Sequence, residues 1–360
     1  MTQEGANLKI LWVGQWAKGS GAVNPRYYEL LRRLSSVCKI AYPALRGVTR
    51  LERLLMPVVL PRLAHRYRVL FDPGARFTRW WPGPSIVDVD DPLFTPEEVK
   101  LLKDVRVQVI VTTTQELALR LSHLTGKEVK VIPSGFSARD IDHKMVSKIR
   151  NQQKHLGNPV VGYTSPYLVI RRDIPHQNDI SLLLDAMELV WIELPYVELW
   201  LIGVPDSNVR AFANAHRSKV KLFGLVSRKC LLNYVCNFDI AVYPRQIDWG
   251  GRFSVKLIEF LGCGVPVVAN RVSEARIVEE AKAGVVVNST DDFAKAIMEL
   301  VKTPDFVRNW ARTEGVLQRT MIGICWQASM NVRFLHQWSE RSNLTENERT
   351  FEAFGFYILS

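Results

Sequence analysis

Cysteine is scarce in this 360-residue chain. The five present, Cys38, Cys230, Cys236, Cys263 and Cys325, are scattered, and no two stand at metal-ligand spacing. An odd, unpaired set excludes a disulfide-stapled framework and suits a reducing cytosol. Long apolar runs are missing, so no segment approaches the length of a transmembrane helix. The N-terminal stretch, MTQEGANLK, lacks the apolar core of a secretory signal. Acid is in short supply: 36 aspartates and glutamates face 47 lysines and arginines, a formal net charge of +11. That balance favours acidic partners, whether phosphates, nucleic acid or an anionic membrane face. The acid is thinnest from Arg46 to Trp81, where arginines at 46, 50, 53, 62, 66, 68, 76 and 79 meet only Glu52 and Asp72.

What is present is ordinary for a globular chain, with 47% hydrophobic and 23% charged residues. The length is too great for one core and fits two domains. Leu8 to Val13 reads as a strand, followed by a loop ending Gly19-Ser20-Gly21 and a helical pattern from Tyr27 to Leu34. Strand, glycine loop and helix open a βαβ unit. Further strands are expected at Lys39–Tyr42, Ser85–Asp91, Val107–Thr112 and Lys127–Ile132, with helices at Glu97–Lys103 and Gln115–Leu124. A polar stretch, Lys144 to Asn158, reads as helix and linker and sets a boundary near residue 156. Beyond it, apolar runs at 159–163, 197–203, 220–226 and 239–244 alternate with helices at 181–190 and 229–237. This alternation predicts a second parallel sheet. The arginine-rich stretch interleaves leucines with Trp80-Trp81. It reads as an interfacial membrane surface, or as a basic solvated face over an apolar stripe. No nucleic-acid motif accompanies it, and no nucleic-acid partner is expected.

The most informative stretch is Arg252 to Ala269, RFSVKLIEFLGCGVPVVA. Val255, Leu257, Ile258, Phe260 and Leu261 cover most of a helix surface, which predicts a buried helix. Gly262 and Gly264 stop it, and Pro266–Ala269 follows as a buried strand. Glu259 is the polar exception, costly to bury unless paired, with Lys256 one turn earlier on the same side. The helix starts at Ser254, whose free amides suit an anion. A phosphate cradle followed by a carboxylate suits a nucleotide.

This stretch resembles the donor-binding segment of GT-B glycosyltransferases, specifically retaining family 4. V-x-L-F-G-x-V at 220–226, D-I-x-V-x-P at 239–244 and Pro133-Ser134-Gly135-Phe136 carry the same resemblance. It implies an α/β fold of two Rossmann-like domains facing a cleft. They would span 1–155, on the acceptor side, and 156–324, on the donor side, with a helix at about 325–341 returning to the first. Glu259 falls on the second glutamate of the family's E-x7-E pattern, which holds the donor ribose. The first falls on Gly251 and is missing. Ser254, Val255, Arg252, Arg245 and Arg171 become diphosphate candidates, and Gly224, Leu225 and Val226 inherit the contact with the base. The family's phosphate-binding lysine falls on Asn178, so Arg171 or Arg172 would substitute. For each arginine the alternative is an ordinary surface residue. Gly19 and Gly21 face the donor phosphates by position, although any tight turn would use such glycines.

Asp90-Asp91 ends a strand that opens onto the crevice, so Asp91 is expected near the acceptor hydroxyl, or else caps the next segment or pairs with an arginine of the arginine-rich stretch. Asp91, Arg172 and Lys256 form the expected catalytic set. The resemblance implies transfer of a sugar from a nucleoside diphosphate sugar to a hydroxyl acceptor, with retention and without metal or other cofactor. Asp88-Val89-Asp90 has D-x-D spacing but sits in the wrong domain for a metal site. The acceptor would be a glycan or a lipid-linked molecule, and the protein cytoplasmic or peripheral on the inner membrane face. Two other readings stay open: a nucleotide-sugar epimerase, and a non-catalytic relative that serves as a binding or partner subunit.

Overall fold

The computed structural model describes residues 9–13, 26–27, 30, 39–41, 50–67, 69–135, 140–153, 157–172, 176–248 and 250–303. Two six-stranded sheets carry them. The first uses β1 (Lys9–Trp12), β2 (Lys39–Ala41), β3 (Val69–Pro73), β4 (Ser85–Asp88), β5 (Val107–Thr112) and β6 (Val129–Val131), in the order β2-β1-β3-β4-β5-β6. The second uses β7 (Val160–Leu168), β8 (Glu198–Pro205), β9 (Val220–Gly224), β10 (Ile240–Tyr243), β11 (Val267–Asn270) and β12 (Gly284–Val287), in the order β12-β11-β10-β7-β8-β9. Neighbouring strands pair in parallel throughout.

Parallel strands are covered on both faces, so apolar residues run unbroken along them. Period two then sorts them. Val161, Leu199, Leu201, Ile240, Val242 and Val268 pack on one face of the second sheet. Val160, Trp200, Ile202, Ala241, Val267 and Ala269 pack on the other.

Ten α-helices fill the connections among the described residues. The first sheet has α1 (Arg50–Leu63), α2 (Pro96–Leu102) and α3 (Gln115–Thr125). Then come α4 (His143–Gln153), α5 (Ser181–Glu193), α6 (Ser207–Ala215), α7 (Arg228–Val235), α8 (Val255–Gly262), α9 (Arg276–Glu280) and α10 (Thr290–Lys302). Side chains cap several of them: Thr95, Thr114, Asp206 and Ser289 accept from amides of the first turn. Although α4 precedes residue 156, it packs on the second sheet, with Ile149 buried against Val160 and Val235. Asn237 Nδ2 donates to the Val146 carbonyl, and the Asp142 amide to Asn233 Oδ1.

The arginine-rich stretch differs from its reading as a single surface segment. It contains α1, the fully buried strand β3 and a 3-10 turn at Thr78–Trp80. Asp72, at the end of β3, organises that turn by accepting from the amides of Arg76, Phe77 and Thr78 and from the Thr78 hydroxyl. Trp81 is wholly buried and donates Nε1 to the Pro84 carbonyl, so it is a core residue rather than an interfacial one. The exposed apolar residues of the stretch belong to α1: Leu51, Leu54, Leu55 and Val58 face out while Met56 and Leu60 face in. Among the described residues no helix is long and apolar enough to cross a membrane. The helix expected from Trp326 to Trp338 lies outside the described residues.

Candidate active site

In the second sheet the strand order reverses at β7: β8 and β9 lie to one side, β10 to β12 to the other. Such a switch point opens a crevice beyond the carboxyl ends of the flanking strands, here β7 and β10. The helix α8 begins beside that crevice. Ser254 caps it with extended backbone, and Leu257, Ile258, Glu259, Phe260 and Leu261 are buried. Its other end closes as expected: Gly264 adopts φ +71°, and the Val265 amide reaches back to the Phe260 carbonyl. Glu259 is only 2% exposed.

Lys256 takes a different partner from the one its spacing suggested. Its Nζ donates to Tyr163 Oη at 3.0 Å and to Ser165 Oγ at 3.2 Å on β7, not toward Glu259. Ser165 Oγ donates in turn to Asn178 Oδ1 at 2.9 Å. Lys256 is therefore joined through one serine to the position where the family lysine was expected.

Arg245, just past β10, holds Oε1 of the buried Glu274. Glu274 Oε2 is buried with no hydrogen-bond partner among the described residues. Burial pushes this carboxyl up, against the pull of Arg245. Arg252 crosses to the first sheet, with Nη1 2.5 Å from Asp91 Oδ1 and Nη2 3.1 Å from the Pro92 carbonyl. Asp91 is thus paired with an arginine of the second sheet, not of the arginine-rich stretch. Burial, with the like charge of Asp90, pushes the Asp91 carboxyl up although Arg252 pulls it down.

Asp248, three residues before Gly251, is already occupied. It accepts from the Ser273 amide and hydroxyl and from the Gly250 amide, which ties the 244–253 loop to the turn after β11. Burial opposes ionisation there, yet those hydrogen bonds hold the carboxyl below its ordinary range.

Gly251, at the position of the missing glutamate, is buried in the left-handed region at φ +67°. A Cβ placed there would lie 2.7 Å from Glu116 Cδ of α3. A side chain at 251 would be strained by the left-handed backbone and would require the exposed Glu116 side chain to move aside. Thr114 Oγ1 donates to the Gly251 carbonyl at 2.6 Å.

The structure thus brings Arg245, Arg252, Ser254, Lys256 and Asp91 to the loops around one seam, but not Arg172. That arginine forks onto Asp185 at 2.8 and 2.6 Å, in an exposed pair. Arg171 is exposed, and its amide bonds Asp179. Gly224 ends β9 in the left-handed region at φ +65°, Leu225 beyond it is exposed, and Val226 packs on the core. Gly19 and Gly21 lie outside the described residues. In the first sheet Asp88 is taken by Arg26, which donates Nε at 2.8 Å and Nη2 at 2.9 Å, while Asp90 accepts from Tyr27 Oη. Arg26, Glu274, Thr114 and Glu116 escaped sequence reasoning, because each is defined by a partner distant in the chain.

Residues 166–303 match the family described as Glycosyl transferases group 1. No curated protein matches the sequence. Among solved structures, HepE from Anabaena, in complex with UDP and glucose, superposes with a TM-score of 0.65 at 16% identity, covering 91% of this chain and 99% of that one. Sucrose-phosphate synthase from Thermosynechococcus elongatus gives 0.63 at 14% identity, covering 92% and 99%. WaaG, a glycosyltransferase involved in lipopolysaccharide biosynthesis, gives 0.60 at 13% identity, covering 85% and 94%. At these identities the likeness is one of fold. The match over 166–303 begins at the carboxyl end of β7 and includes β10, α8 and the loop between them. The chain has the two-domain GT-B fold of these structures, and its residues 166–303 are similar to the group 1 glycosyl transferases.

Proposed function

We propose that the chain transfers a sugar from a nucleoside diphosphate sugar to a hydroxyl acceptor with retention at the anomeric carbon. The observation that carries this reading is the buried carboxylate of Glu259 on a helix whose amino end opens beside Arg245, Arg252 and Lys256. In this reading the amides from Ser254 onward and those cations bind the diphosphate. Glu259 accepts the ribose hydroxyls, and main-chain groups from Gly224 to Val226 read the base. The bond from the anomeric carbon to the phosphate oxygen breaks as the acceptor oxygen bonds the same face. The acceptor proton passes to the departing diphosphate, and Asp91 orients the acceptor hydroxyl. No metal is required, because the cations and the helix end neutralise the leaving group. The two domains exclude water that would otherwise hydrolyse the donor.

UDP is the first nucleotide to try, since solved relatives of this fold bind it. A lipid-linked acceptor at an anionic membrane face is supported by α1, where Leu54 is 74% exposed and Arg50 and Arg62 lie at the surface. Gly251 favours one rival, a non-catalytic relative, because it supplies no carboxylate where the family pattern has its first glutamate. The test is a thermal-shift panel of nucleoside diphosphates and their sugars, followed by labelled donor with and without acceptor lipids. Stabilisation by one base series together with transfer or hydrolysis supports catalysis. Binding without any turnover supports the non-catalytic rival, acceptor-independent conversion supports an epimerase, and no stabilisation by any nucleotide overturns the donor site.

A further inference from the structure

The loop from Gly250 to Arg252 is held from both sides of the seam. From the second sheet, Ser273 Oγ accepts from the Gly251 amide at 3.3 Å, and Asp248 fixes Ser273. From the first sheet, Thr114 caps α3 and donates to the Gly251 carbonyl, Glu116 packs against Gly251 Cα, and Asp91 takes Arg252. The Arg252 side chain is 13% exposed and that of Asp91 is 59% exposed, so the pair opens to solvent on the aspartate side. Arg252 holds the Pro92 carbonyl as well as Asp91, and a carboxylate partner that is open to solvent can be exchanged for a stronger anion, because such pairs are worth little.

We propose that this loop is an exchangeable latch: Arg252 is shared in competition between Asp91 and the donor diphosphate, and Thr114 is the positioning residue that holds the loop while the exchange occurs. Taking Arg252 away releases the Asp91 carboxylate, so donor binding prepares the acceptor side. The inference rests on the proposed donor role of Arg252.

The test is calorimetric titration with UDP. Asp91→Asn removes the competitor and raises UDP affinity by about two- to fivefold, the scale of an exposed ion pair. Thr114→Val lowers affinity and Thr114→Ser restores it, and the affinity change exceeds what any change in melting temperature accounts for, since loss of the α3 cap alone would lower that temperature. Gly251→Ala places a methyl against Glu116 and weakens UDP, and adding Glu116→Ala recovers part of the loss. If Arg252→Ala abolishes UDP binding while Asp91→Asn leaves affinity unchanged or lower, the latch is wrong and the donor site stands. If Arg252→Ala leaves UDP affinity unchanged, the donor role of Arg252 fails and the latch with it. Equal losses in Thr114→Val and Thr114→Ser overturn the positioning role.

Discussion

Arg26 and Asp88 lie 62 residues apart and meet in the first sheet with both side chains fully buried. Burial pushes the Asp88 carboxyl up although Arg26 pulls it down, so the pair depends on its geometry. Arg26 Nη1 also caps the Ile132 carbonyl. Removing one partner leaves a buried uncompensated charge, and Arg26→Met should cost about 3–5 kcal/mol in denaturant unfolding. The double variant Arg26→Met/Asp88→Leu should recover much of that loss. Equal costs in both would show that the charge is not the reason. Asp104 behaves oppositely. The forked hydrogen bonds from Arg106 hold its carboxyl down at about 2. A carboxyl depressed in the folded state stabilises above its unfolded value and loses that contribution as pH falls, here from about 4 to about 2. Asp104→Asn should therefore cost less than about 1 kcal/mol near neutral pH, with the gap to the unmodified protein closing as pH approaches 2. A gap that does not narrow would contradict the assignment. At the seam, Glu259→Gln should weaken UDP binding by roughly 1.5–3 kcal/mol, the worth of hydrogen bonds to a charged group. An unchanged affinity removes the ribose role.

The helix α8 is legible in the sequence, because its apolar coverage, its start at Ser254 and its glycine stop are all local signals. Each buried Leu, Ile or Phe there contributes roughly 1.5–3 kcal/mol, enough to carry Glu259 inside. Three elements are not legible. The strand β3 hides between arginines whose charge dominates any composition window, and only Asp72 gathering three amides reveals the turn that ends it. The helix α6 sits in a polar stretch, and its signal is one residue, the Asp206 cap. The helix α1 carries Pro57 and Pro61, which argue against a helix locally. Packing of Met56 and Leu60 against Leu11, Leu70 and Trp81 overrides them. Its outer face yields a prediction: Leu51→Gln/Leu54→Gln should reduce flotation with anionic vesicles while leaving UDP affinity intact. Unchanged flotation would assign that face to ordinary solvent exposure.

Across the whole molecule, alternating strands and helices are enough to announce two parallel sheets, whereas the faces of the second sheet come from its packing. The seam was not readable, since Asp91–Arg252, Thr114–Gly251 and Lys256–Tyr163 join residues far apart in sequence. The candidate residues were named largely by resemblance, and their partners had to come from the structure. Arg172 was named by its loop position, and its side chain forks onto Asp185. The central claim is that α8 holds a nucleoside diphosphate with its amide end and its buried acid. A crystal structure of the full chain with UDP tests it most directly. The account predicts phosphate oxygens on the amides at Ser254 and Val255, with the ribose hydroxyls on Glu259. UDP bound away from this helix, or a Glu259 carboxylate that does not touch it, would contradict the account.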